Sequence, residues 1–212
     1  MKRIVFATGN SGKLREASEI LGGAFELVTP AQSGIIEDIP ENGTSLRANS
    51  LQKAQHIYDH TGGADCFADD TGLEVEILGG APGVYSARYA GSSKSSTANM
   101  DKLLREMELQ ETEASFAREF GIDTVHATRR ARFRTVVTLI LNGEKHFFEG
   151  VMEGRIARSR AGNGGFGYDP VFIADEYPDK TVAELDDEAK NAISHRGKAL
   201  RAMAGFLNSR PA

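Results

Sequence analysis

The sequence predicts an α/β protein, and three observations carry that. Ile4-Val5-Phe6-Ala7 reads as a buried strand and leads through Thr8-Gly9-Asn10-Ser11-Gly12-Lys13 into apolar residues at helical spacing, Leu14, Ala17, Ile20 and Leu21. The same helical spacing recurs later, at Leu46 to Tyr58, Met100 to Met107 and Ala199 to Leu207. Two β-rich runs, 132–141 and 145–153, flank Asn142-Gly143, the strongest hairpin signal in the chain.

The 212 residues, 40% of them hydrophobic, suffice for a core in one fairly large domain or two small lobes. A formal charge of -5 gives no global electrostatic case for a nucleic-acid partner. The single cysteine, Cys66, excludes an internal disulfide and suits a reducing compartment. The apolar stretch after Met1-Lys2-Arg3 is too short for a signal peptide, and no run is long enough to span a bilayer. A soluble, cytoplasmic protein is the expectation.

In chain order, the strand at 2–7 and the helix after it frame a polar glycine loop with a lysine in the helix's first turn. Exposed amides and the positive end of the helix dipole make such a turn a natural phosphate site. It is not a Walker A loop, because Leu14 stands where Ser or Thr should follow the lysine; an ordinary βα turn is the alternative. Gly22-Gly23 ends the helix, and Phe25 to Val28 is a second short strand. Residues 29–43 lack a period and hold Glu37, Asp38 and Glu41, as a functional loop does. The helix from about Ser45 to His60 is capped by Thr44 or Ser45. Its Asn49 and Lys53 fall on a face other than the apolar stripe, where solvation is the plain reading.

Phe67-Ala68-Asp69-Asp70-Thr71-Gly72-Leu73 is the focus of the chain. Its apolar start reads as a strand end and Leu73, Val75 and Ile77 as a half-buried strand, with the two carboxylates in a tight connection and Gly72 freeing the backbone. Neighbouring like charges repel, and a hard cation such as Mg²⁺ would relieve the repulsion; turn chemistry alone is the competing reading. After the break at Gly79 to Gly83, a helix around Met100 to Met107 follows, and 108–130 shows no clear pattern. Arg132 and Arg134 alternate with Ala131, Phe133 and Thr135, as the outer face of a strand does. The glycine-dense stretch Gly162 to Pro170 lets backbone approach a ligand, and Phe166 or Tyr168 could stack on a flat ring. Ser194 caps a last helix whose first turn holds His195 and Arg196, both free to point outward.

Five motifs stand in order: Thr8-Gly9-Asn10-x-x-Lys13, Ala68-Asp69-Asp70-Thr71-Gly72-Leu73, Pro82-Gly83-Val84-Tyr85-Ser86-Ala87-Arg88-Tyr89, Gly165-Phe166-Gly167-Tyr168-Asp169-Pro170 and Ser194-His195-Arg196-Gly197. As a set they resemble the inosine triphosphate pyrophosphatase family, the dITP/XTP pyrophosphatases, from the first strand to the last helix. The resemblance implies one domain over 1–212 without a linker: an elongated mixed β-sheet with flanking helices, in two lobes around a central cleft. It implies Mg²⁺-dependent hydrolysis of inosine, deoxyinosine and xanthosine triphosphates to monophosphate and pyrophosphate by a homodimer. By position, Thr8, Gly9, Asn10, Ser11, Gly12 and Lys13 correspond to the phosphate loop. Asp70 corresponds to the catalytic carboxylate, Glu41 to a metal-linked acid and Thr71 to a substrate contact. Phe166, Gly167, Tyr168, Asp169, Lys190, His195 and Arg196 correspond to residues that hold the base and nearby groups.

The chemistry fits these residue types. Lys13, loop amides and Mg²⁺ would neutralise the phosphates, and Asp70 would bind metal or deprotonate the attacking water. Hypoxanthine and xanthine carry oxygen at C6 where adenine has an amino group. A donor from Arg196 or the backbone beside it would be left unpaired against adenine, at about 1–3 kcal/mol. A related pyrophosphatase with another base preference, and a nucleotide-binding module without hydrolysis, are the alternatives.

Overall fold

The computed structural model describes residues 2–37, 39–120 and 128–209. Asp38 and the 121–127 part of the patternless stretch lie outside the described residues. The strands are β1 (Lys2–Phe6), β2 (Phe25–Val28), β3 (Cys66–Val75), β4 (Pro82–Gly83), β5 (Arg130–Leu141), β6 (Glu144–Ile156) and β7 (Phe172–Ala174). The α-helices are α1 (Ser11–Leu21), α2 (Leu46–His60), α3 (Ser96–Glu119), α4 (Asp187–Ile193) and α5 (His195–Asn208). Strand order is β2-β1-β3-β5-β6-β7, with β4 on β3. The sheet is mixed, as expected: β1 runs parallel to β2 and β3, whereas β4 and β7 are antiparallel to their neighbours.

The chain forms two compact units, and neither is contiguous in sequence. One comprises Met1–Thr71, Arg134–Val151 and Ser194–Ala212; the other comprises Gly72–Phe133 and Met152–Ile193. In the first unit the strands carry apolar side chains on both faces. Ile4, Phe6, Phe67, Val137 and Leu139 pack with Ala17 and Leu21 of α1 and Leu200 and Met203 of α5. Val5, Ala7, Cys66, Ala68 and Ile140 pack instead with Ala54 and Ile57 of α2. Period-2 alternation therefore assigns each β-residue to one helical layer. In the second unit Leu73, Val75, Met100, Leu103, Met107, Phe133 and Phe172 lie in one core.

Local chemistry sets the ends of these elements. Asn10, Ser45, Ser95 and Ser194 cap α1, α2, α3 and α5, each accepting a first-turn amide. Asn142 and Gly143 have φ of 51° and 82°, the left-handed pair that a two-residue hairpin requires. The helix expected near Met100 continues through Glu119 and takes up much of the patternless stretch. Arg132 pairs with Glu74 and Arg134 with Glu149, on the outer strand face expected for them.

One expectation is corrected. Asp69 and Asp70 do not lie in a turn: β3 runs unbroken from Cys66 to Val75, and Gly72 is a strand residue within it. The apolar run continues on both sides of the pair, and the buried flanks hold the backbone extended despite two residues of low β-propensity. Glu76 to Leu78 form a short helical turn, so Ile77 is not part of the strand.

Gly150 of β6 fixes how closely the start of α5 can approach the sheet. A Cβ there would collide with the His195 carbonyl oxygen and stand 2.6 Å from the Ala199 nitrogen. Both obstacles are backbone and cannot rotate away. Gly150→Ala should lower unfolding free energy by about 1–3 kcal/mol or more in urea titration, the range of overpacked sites. A variant as stable as the parent would show that α5 does not depend on this contact.

Candidate active site

Asp69 is 1% exposed, and its charge is met from two helices. Lys13 Nζ of α1 donates to Oδ1 at 3.0 Å, and Arg196 Nε of α5 donates to Oδ2 at 2.9 Å. Arg196 also donates to Glu16 at 2.8 Å, and Ser194 Oγ reaches the other Glu16 oxygen at 3.0 Å. Burial alone would raise the Asp69 pKa. Lys13 and Arg196, with Lys53 further away, outweigh it and hold the carboxyl well below the usual range. Burial likewise lowers the Lys13 pKa, and Asp69 opposes the shift only in part.

Asp70 projects from the opposite face of β3, toward α2. Asn49 Nδ2 donates to its Oδ2 at 3.2 Å, and Lys53 Nζ lies 3.4 Å from its Oδ1. Lys53 also donates to Glu41 at 2.7 Å, so one ammonium lies between two carboxylates. The Asn49 side-chain oxygen Oδ1 accepts the Gly43 backbone amide at 2.7 Å, tying the loop that carries Glu41 to α2. Desolvation raises the Asp70 pKa, with Glu41 and Asp69 adding to the shift while Lys53 and the Asn49 hydrogen bond oppose it. For Lys53, burial is outweighed by Asp70, Asp69 and Glu41, and its pKa is raised. Adjacent aspartates are therefore shifted in opposite directions.

Thr71 returns to the Asp69 face. Its hydroxyl meets that of the buried Thr135 at 2.7 Å, which in turn lies 2.6 Å from His195 Nδ1. In the loop before α1 Thr8 is buried and Gly9 and Asn10 are exposed, as are Ser11 and Gly12 in the first turn of the helix. Asn10 accepts the Lys13 amide through its side chain at 3.1 Å, and its own amide donates to Thr8 Oγ1 at 3.2 Å. His195 and Arg196 do not point outward: they are only 8% and 3% exposed. The Ser194 cap holds the first turn of α5 against β5 and β6, and the carboxylates of Asp69 and Glu16 hold the guanidinium inside.

The first unit thus holds Thr8 to Lys13, Glu41, Asp70, Thr71, His195 and Arg196. The second holds Phe166 to Asp169 and Lys190, gathered on one carboxylate. Asp169 accepts the Phe166 amide and the Lys190 ammonium, each at 2.7 Å. Lys190 Nζ lies 4.5 Å from the centre of the Phe166 ring, which is 53% exposed. Gly165 has φ of 72°, and a Cβ there would strike Asp169. The Tyr168 hydroxyl donates to the Ser86 carbonyl at 2.9 Å; Ser86 Oγ accepts the Leu73 amide at 2.8 Å.

Residues of these networks that stand outside the sequence-based set include Glu16, Asn49, Lys53, Asp69 and Thr135. Asn49 and Lys53 are 1% and 7% exposed, not solvated. Helical arithmetic carries the signal for them. Leu46, the Asn49-Ser50 pair, the Lys53-Ala54 pair and Ile57 recur at three- and four-residue spacing on one buried face, so the polar residues lie within the apolar stripe.

The sequence profile of the Ham1 family matches residues 4–206. The chain belongs to the Ham1 family. It is 45% identical over 207 residues to a Porphyromonas gingivalis protein named dITP/XTP pyrophosphatase, covering 98% of each chain. The solved structure of a Ham1 protein from Coxiella burnetii is 36% identical, with a TM-score of 0.86, over 99% of this chain and 100% of that one. A Mycobacterium abscessus structure, titled nucleoside-triphosphatase / dITP/XTP pyrophosphatase, is 38% identical, with a TM-score of 0.73, over 97% and 98%. Among the described residues, no helix of this Ham1 member is long and apolar enough to cross a membrane.

The two aspartates should behave oppositely on substitution. A carboxyl whose folded pKa is depressed stabilises above its unfolded pKa of about 3.9, and that stability is lost as pH falls toward the folded value. Asp69→Asn should therefore cost about 3–5 kcal/mol at pH 7, the range for breaking a buried pair, with the deficit shrinking below about pH 4. Asp70, whose folded pKa is raised, opposes folding once the pH exceeds its unfolded value. Asp70→Asn should unfold at the same temperature as the parent or higher at pH 7. Thermal melts of both variants at pH 7 and pH 4 check this, and equal losses at pH 7 would contradict it.

Proposed function

We propose that this Ham1 protein hydrolyses inosine, deoxyinosine and xanthosine triphosphates to the nucleoside monophosphate and pyrophosphate. One observation carries the reading. In a chain so similar to proteins named dITP/XTP pyrophosphatase, Asp70 is held by Asn49 and by a lysine it shares with Glu41, while its neighbour Asp69 is locked in ion pairs with Lys13 and Arg196. A base whose pKa moves toward the working pH is better matched to take a proton from water.

The roles follow from the contacts. Lys13 and the loop before α1 bind phosphate charge, with helix amides and dipole adding to the attraction. Asp70 orients the attacking water and accepts its proton as water adds to the α-phosphorus and pyrophosphate departs. Lys53 and Asn49 hold that carboxylate in place. Lys190 donates to Asp169 and lies over the half-exposed Phe166 ring; an ammonium donor beside an aromatic ring suits a purine bearing oxygen at C6. The buried Arg196 positions Asp69 and the first turn of α5, where His195 is anchored by Thr135.

The residues present fit a magnesium ion. Glu41 and Asp70 already converge on one cation, Lys53, and both offer the hard oxygen ligands Mg²⁺ takes. They would hold it, and bound there it would offset phosphate charge and activate water. The same reading takes the working form to be a cytoplasmic homodimer.

Phosphorus NMR of the pure protein with Mg²⁺ and a panel of nucleotides should show pyrophosphate as the first product from inosine and xanthosine triphosphates, and little from adenosine triphosphate. Stepwise orthophosphate would overturn the proposed bond cleavage. A different preferred nucleotide would overturn the base preference, and no product at all would leave only binding.

Two variants divide the labour. Lys13→Ala should raise KM and lower kcat together, because the lysine meets charge present in both ground and transition states. Asp70→Asn should lower kcat by a factor of about 10² or more while inosine triphosphate still binds. Steady-state kinetics with a calorimetric binding titration reads both. Unchanged kinetics in Lys13→Ala would make the loop an ordinary βα turn.

A further inference from the structure

In the first unit, the last two turns of α2 carry His56 and His60, four residues apart and so on one side of the helix. Their rings stack with centroids 4.0 Å apart. Glu37, from the loop after β2, places Oε1 3.8 Å from Nε2 of both rings. At that distance neither ring nitrogen is hydrogen-bonded to it. Among the described residues, His56 Nε2 is buried and has no hydrogen-bond partner. His60 Nδ1 lies 2.7 Å from the His56 carbonyl oxygen, which can only accept. The proton of a neutral His60 ring therefore sits on Nδ1, and Nε2 is left as a bare lone pair. One ligand atom from each of the three residues lies within 4.8 Å of the other two.

We infer that Glu37, His56 and His60 form a binding site for a divalent transition metal of the zinc type, with a fourth position left to water. Zinc bonds of about 2.0–2.2 Å at tetrahedral angles put donor atoms roughly 3.4 Å apart. The two Glu37–histidine distances of 3.8 Å each need a closing of about 0.4 Å; the two ring nitrogens lie within 4.8 Å of each other, and the stacked rings must turn so that both lone pairs meet the ion, a movement open to the half-exposed Glu37 and His60. The Nδ1 bond to a backbone carbonyl is the usual outer support of a metal-bound imidazole. A plain ion pair accounts less well for the arrangement, since it leaves a buried ring nitrogen unsatisfied. Two imidazoles and one carboxylate suit zinc and its neighbours, whereas magnesium takes oxygen ligands, so the site differs in kind from the Glu41–Asp70 pair. Glu37 precedes Glu41 by four residues in one loop, and His56 follows Lys53 by three on one helix. A metal here would clasp that loop to α2.

The test does not depend on the proposed pyrophosphatase activity. Zn²⁺ is titrated calorimetrically into the full chain with excess Mg²⁺ present, and Co²⁺ is added separately to record its visible spectrum. We expect one equivalent of Zn²⁺ at micromolar concentration, a raised melting temperature, and the intense absorption of four-coordinate Co²⁺. His60→Ala and Glu37→Gln, both at half-exposed positions, should each weaken binding by about tenfold or more. Asp70→Asn should leave it unchanged. Absence of saturable binding by the parent chain would overturn the inference. So would retention of full affinity in both His60→Ala and Glu37→Gln, or its loss in Asp70→Asn.

Discussion

The first unit depends on how the charge of Asp69 is met. Three segments distant in sequence, the start of α1, the middle of β3 and the first turn of α5, converge on this one carboxylate. Burying the ions costs several kcal/mol each, so the cluster is not a large net source of stability beside an apolar core. What it supplies is placement. With Arg196 fixed by Asp69 and Glu16, α5 can enter the fold in one rotational setting only, and that setting brings His195 to Thr135. The surrounding apolar contacts could tolerate small slips, but a desolvated guanidinium cannot.

The period of the β-strand does the rest. Consecutive residues on β3 face opposite layers, so one Asp-Asp dipeptide supplies two chemically different groups. Asp69 meets a lysine and an arginine and is held ionised. Asp70 meets one lysine, shared with Glu41, and an amide, and keeps a raised proton affinity. Environments that push like groups apart in pKa are a recurrent way for a protein to divide structural and chemical roles between them.

Much of this was open to reading in the sequence, where the signal is local. Apolar spacing located α1, α2 and α5; Ser45 and Ser194 marked two helix starts; Asn142-Gly143 marked the hairpin. The five ordered motifs pointed to the family. What escaped was the sense of polar residues buried by tertiary contact. Asp-Asp-Thr-Gly has turn composition, and only the pairing of β3 with its neighbours keeps it extended. Asn49 and Lys53 look solvated until Asp70 and Glu41 give them partners. His195 and Arg196 look like surface residues because nothing near them in sequence announces a buried carboxylate more than a hundred positions earlier. Ion pairing across such separations leaves no periodic trace. The length of α3 was missed for a simpler reason: past Met107 the helix is largely exposed, and its apolar residues Leu109 and Phe116 are sparse and face solvent instead of continuing the buried stripe.

The discontinuity of the two units has a bearing on biosynthesis. Chain order brings Lys13 and Glu16 off the ribosome before Asp69, and Arg196 more than a hundred residues after it. Until α5 is made Asp69 and Glu16 lack their guanidinium, and sealing β3 and α1 would leave charge unmatched. Closure of the first unit therefore waits for the final helix, unlike a chain whose N-terminal portion matures while the remainder is still being made. A nascent chain interrupted anywhere before α5 would expose the apolar surface that α5 covers, and it would be open to chaperones and proteases. Sealing of the first unit is thus tied to the few residues that open α5.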